Sequence, residues 1–80
     1  MNEALHNDFG QNALEMALVN ELGNKASTEL NLEFYQVKLD SGKELDTNEI
    51  ADKGFWERNL VKINEKIEFL QAKLAQEPVV

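Results

Sequence analysis

An all-α fold of three helices, at about residues 3–22, 26–41 and 47–77, is what this sequence predicts, with a long C-terminal helix built on heptads. Three observations carry the expectation. Leu14, Leu18 and Leu22 recur at steps of four near the N-terminus, Leu, Glu, Gln and Lys dominate the middle, and an apolar seam runs through the C-terminal third. The 80 residues form a single small domain, 1–80, without a repeat, low-complexity tract or Pro-rich linker to mark a boundary.

The first helix is predicted from Asp8 as an N-cap, with Gln11 three residues on completing a capping-box-like pair. Ala13, Ala17 and Val19 flank its leucine row, and Gly23 is the expected stop. Residues 2–7 add a turn or fray.

The middle segment supports two readings. Leu30, Leu32 and Phe34, then Tyr35, Val37 and Leu39, alternate with polar residues in a strand-like pattern whose phase flips once, as at a bulge. This gives the alternative fold, α+β with a β-hairpin at about 28–48 between two helices. Read as a helix, the same residues make two apolar stripes on opposite sides. Ala26, Leu30, Phe34 and Val37 lie on one, and Leu32, Tyr35 and Leu39 on the other, so the helix needs burial on both faces. Only Thr28 and Val37 are β-branched here, which favours helix, and Asp40-Ser41-Gly42 is acceptable as its end.

The third helix opens on a capping box, Asp46-x-x-Glu49, and closes near Gln76 ahead of Pro78, with Gly54 expected to loosen its first turns. Trp56, Leu60, Ile63, Ile67, Leu70 and Leu74 follow at steps of 4, 3, 4, 3 and 4, a heptad seam for a partner helix. Helices of an intramolecular bundle use the same spacing as a dimer does. Beside the seam, Arg58, Lys62, Lys66 and Lys73 share an arc of about 80°, among which Phe55 and Phe69 project, while Glu57, Glu65 and Glu68 lie on the other flank.

A net charge of −7 disfavours direct binding to nucleic acid or to an anionic membrane surface. The longest apolar run, Met16 to Val19, is far too short to span a bilayer, and the first twenty residues lack the basic and apolar regions of a signal peptide. With no cysteine, disulfide and thiolate chemistry are excluded, and a cytoplasmic location is expected.

No constellation of residues points to catalysis. His6 with Glu3 and Asp8 makes a poor metal shell, and the carboxylate pairs Glu44 and Asp46, and Glu49 and Asp52, lack the apolar cleft that general acid–base work requires. The four glycines form no phosphate loop, and Ser27 and Ser41 have no neighbouring base. The expectation is therefore no catalytic, metal or cofactor-binding residue and no cofactor.

What remains is a non-enzymatic protein–protein interaction module, a small acidic adaptor, inhibitor or assembly subunit acting through a helix face. Trp56, Leu60, Ile63, Ile67, Leu70 and Leu74 are the expected oligomer or partner interface, and Phe55, Arg58, Lys62, Lys66, Phe69 and Lys73 a second partner face. A homo-oligomer is expected, a dimer before other states, because so short a chain buries little core by itself. Two rivals are an acidic nucleic-acid mimic of the kind a phage or mobile element encodes, using the carboxylates of residues 29–52, and an α+β accessory domain adding a strand to a partner's sheet.

Overall fold

In the computed structural model the chain is a helical hairpin, α1 (Asn2–Asp40) and α2 (Thr47–Gln76). The backbone is described for residues 2–76 and the side chains for residue 10 and residues 12–76. The all-α class stands and no strand occurs among the described residues, so the hairpin alternative at 28–48 is not adopted. The three-helix division is corrected to two: the expected helices at 3–22 and 26–41 are one continuous helix of 39 residues.

The physical reason lies at Gly23. A glycine ends a helix when it adopts a left-handed conformation, and among the described residues only Gly42 has positive φ, at 83°. In ordinary helical geometry Gly23 only forfeits about 1 kcal/mol relative to alanine, too little to break a helix that lacks proline and is good in propensity on both sides. Asp8, expected as an N-cap, falls inside α1. Its side chain, with those of His6 and Gln11, and also Pro78, lies outside the described residues.

The reversal between the helices is tied at both ends. The Gly42 amide donates to the Leu39 carbonyl at 3.0 Å and the Lys43 amide to the Lys38 carbonyl at 3.2 Å, the two bonds of a Schellman cap. The Ser41 hydroxyl adds a bond to the Lys38 carbonyl at 2.7 Å. Asp46 and Glu49 then form the reciprocal capping box: the Glu49 amide donates to Asp46 Oδ1 at 2.8 Å and the Asp46 amide to Glu49 Oε1 at 3.1 Å. The other oxygen of Glu49 accepts from Lys38 Nζ at 2.5 Å, joining the last turn of α1 to the first of α2.

Gly42→Ala is expected to destabilise the hairpin by about 1–2 kcal/mol, because a Cβ is unfavourable in the left-handed region although the space around it is open. Chemical denaturation followed by circular dichroism checks this. A loss near zero would mean that the reversal does not depend on this cap.

Four side-chain pairs fix the register of the antiparallel helices. They are Lys38 with Glu49, Tyr35 with Asp52, Thr28 with Asn59, and Glu21 with Lys66. From each pair to the next, α1 recedes by three, seven and seven residues while α2 advances by the same three, seven and seven, so there is no slip along the contact. Among the described residues the buried side chains are Ile63, Ile67 and Thr28. Each buried isoleucine contributes about 1.5–3 kcal/mol, a small core for a whole domain.

Candidate interaction surfaces

The inward face of α2 holds the six seam residues. Ile63 and Ile67 are 5% and 7% exposed, and Trp56, Leu60, Leu70 and Leu74 are half-buried, with α1 alongside. On α1 the half-buried or buried residues include Leu14, Leu18, Glu21, Lys25, Thr28, Leu32 and Tyr35. Leu22, which sequence pattern groups with Leu14 and Leu18, is exposed. The inner face of α1 is thus interrupted by a charged and hydroxyl-bearing middle, and the continuation from Leu18 to Leu32 is masked in the sequence by Glu21, Lys25 and Thr28.

That polar middle is partly satisfied. Thr28, 1% exposed, accepts a bond from Asn59 Nδ2 at 3.3 Å, while Lys66 Nζ stands 3.9 Å from Glu21 Oε1 and Glu21 Oε2 is buried without a partner. A shallow groove of about 250 Å³ opens beside these groups, between Asn24 and Ser27 on α1 and Asn59 and Lys66 on α2.

Towards the reversal the contact becomes a hydrogen-bonded cluster. The Tyr35 hydroxyl donates to Asp52 Oδ2, and Trp56 Nε1 donates to the same oxygen at 3.1 Å. The bond to Asp52 pushes the Tyr35 phenol up to about 12, aided by desolvation and by the negative charges of Asp52, Glu49 and Asp46. Because the folded value is raised, this contribution to stability is complete below the ordinary phenol pKa of about 10 and is lost as pH rises through the raised value. Lys38, hydrogen-bonded to Glu49, holds that carboxyl below its usual range, with the Asp46 amide assisting. Its contribution is present at neutral pH and is lost as pH falls through the lowered value.

Tyr35 is the single tyrosine, so its ionisation is read directly by ultraviolet absorbance. The expected midpoint is near 12, falling towards about 10 in Asp52→Ala. Equal midpoints in the two proteins would remove Asp52 as the cause.

The second face foreseen on α2 is exposed throughout: Phe55, Arg58, Lys62, Lys66, Phe69 and Lys73. Phe55 leans edge-on against Trp56 with ring centroids 5.1 Å apart. Among the described residues Arg58, Lys62 and Lys73 form no salt bridge. By helical geometry Glu15, Glu29 and Glu33 of α1 and Glu57 and Glu68 of α2 lie on the opposite side of the hairpin, so it carries an acidic and a cationic flank.

Among the described residues a further exposed apolar face lies on α1, roughly opposite its inward face. Met16, Val19, Leu30, Phe34 and Val37 are between 59% and 68% exposed, with Gly23 and Ala26 between them. The sequence shows Ala26, Leu30, Phe34 and Val37 as one of two stripes. The structure carries that stripe back to Met16, because α1 does not stop at Gly23.

No group of three potential metal-ligating side chains occurs among the described residues, and no described helix is long and apolar enough to cross a membrane. No family model matches the chain, and no curated protein or solved structure matches it significantly.

Proposed function

We propose that this chain is a non-enzymatic protein–protein interaction module, a small acidic adaptor or assembly subunit that binds another protein chain through a helix face. The observation that carries the reading is the outer stripe of α1. Five large apolar side chains on one face, each more than half exposed, form two groups joined by Gly23 and Ala26, where scattered single exposures are the norm. Met16, Val19, Gly23, Ala26, Leu30, Phe34 and Val37 follow at steps of 3, 4, 3, 4, 4 and 3, the spacing that fits a helix against a helix.

The heptad residues Trp56 to Leu74 serve, in this reading, to hold α2 against α1 and so keep the outer stripe straight and presented. The cationic flank with Phe55 and Phe69 is a second contact for an acidic partner. A helix-in-groove or helix-on-helix mode uses anchors at three- and four-residue spacing, as this stripe does.

The experiment is photo-cross-linking in the natural cell, with a photoreactive residue at Leu30 and, as the control, at Glu65 on the exposed polar surface of α2. Protein adducts specific to position 30 are expected. Adducts no more abundant at position 30 than at position 65 would contradict the reading.

A further inference from the structure

We infer that the outer stripe of α1 is covered by the same stripe of a second copy of this chain, the two α1 helices pairing antiparallel about a point between Ala26 and Ser27 to make a dimer of hairpins. The inference rests on the interaction reading and names its partner.

Surface area supplies the first argument. A compact protein of 9.1 kDa exposes about 4,900 Å², whereas this chain exposes 6222 Å². The excess is about 1,300 Å², more than the roughly 800 Å² per partner that a standard interface removes from water, so a helix-on-helix contact between two copies fits within it.

The stripe is also self-complementary. Reversed about a point between Ala26 and Ser27, Met16 falls opposite Val37, Val19 opposite Phe34 and Gly23 opposite Leu30. A two-fold interface requires this property, since the same patch must serve both partners. Large residues meet smaller ones across it, which suits interdigitation.

Gly23 is the third argument. A Cβ built there meets nothing within 4 Å, and its φ is not positive, so nothing within the chain requires a glycine. It nevertheless weakens α1 by about 1 kcal/mol relative to alanine. A partner leucine lying over it gives that position a use, because only glycine lets the opposing side chain approach the backbone.

Charge sets the sign of the salt effect. Each copy carries −7, and the antiparallel pairing brings the Glu29 and Glu33 flanks to the same edge, so the two copies repel. Association through the apolar stripe therefore tightens as salt rises. Docking of the acidic flank of one copy on the Arg58, Lys62 and Lys66 face of another would loosen.

The chain has no cysteine, so single thiols report the pairing cleanly. With purified full-length protein and a short thiol cross-linker, Ala26→Cys is expected to link to itself. Met16→Cys alone is expected to link poorly but to join Val37→Cys when the two are mixed, and Leu30→Glu added to Ala26→Cys should reduce linkage roughly 100-fold at limiting concentration. Failure of Ala26→Cys to link to itself overturns the inference, as does linkage that weakens as sodium chloride is raised. Adducts from position 30 that contain only other proteins overturn the second copy while leaving the interaction reading in place.

Discussion

Ile67→Asp is expected to abolish the folded hairpin, with helical circular dichroism lost at 25 °C and no cooperative unfolding transition remaining. Ile67 is 7% exposed at the contact between α1 and α2, and the described charges nearest in the register, Glu21 and Lys66, are already set against each other. The substitution removes about 1.5–3 kcal/mol of apolar burial and adds an unpaired carboxylate, itself worth several kcal/mol if it stays ionised. With two buried isoleucines among its described residues, the domain has no reserve of that size. Glu68→Lys, one residue on and exposed, is expected to change stability by less than about 0.5 kcal/mol. Equal tolerance of the two would mean that the helices do not meet along this line.

The second large effect separates the two faces of α1 with one chemical change at two positions. Leu32→Glu, on the inward face, is expected to unfold the hairpin at every concentration. Leu30→Glu, on a residue 66% exposed, should leave the helical content of the isolated chain intact and remove its ability to associate. Circular dichroism read together with sedimentation velocity distinguishes loss of fold from loss of assembly. Identical behaviour of both variants would mean that the outer face is as essential to the single chain as the inner one, and the division into a structural and a binding face would fail.

Much of this architecture is legible in the sequence where the signals are local and chemical. Asp46 and Glu49 announce the start of α2 by their spacing, and Asp40-Ser41-Gly42 announces the end of α1, because caps are made by residues within a few positions of one another. The row from Trp56 to Leu74 is legible for a related reason: it is uninterrupted, and all six of its residues lie half-buried or buried. The two opposed stripes of residues 26–39 are visible too, together with the demand for burial on both sides that they imply.

Two features were hidden. Gly23 carries the composition of a helix stop, and only its backbone conformation, helical and not left-handed, decides otherwise. The inward face of α1 was obscured because Glu21, Lys25 and Thr28 occupy its centre, where polar residues read as surface. Pattern reasoning instead grouped Leu22 with Leu14 and Leu18, and Leu22 is left exposed. The missing information is tertiary: Asn59 and Lys66, more than thirty residues away, are the partners that Thr28 and Glu21 meet there.

The central claim, that α1 uses one face within the chain and the other between chains, is tested most directly by sedimentation equilibrium of the unmodified protein over a wide concentration range. The predicted result is a reversible rise from 9.1 kDa to a mass of two chains, with the transition moving to lower concentration as salt is added. A helical protein that stays at 9.1 kDa at the highest concentrations and salt would contradict the claim, because the stripe from Met16 to Val37 would then remain in water with no second copy to cover it.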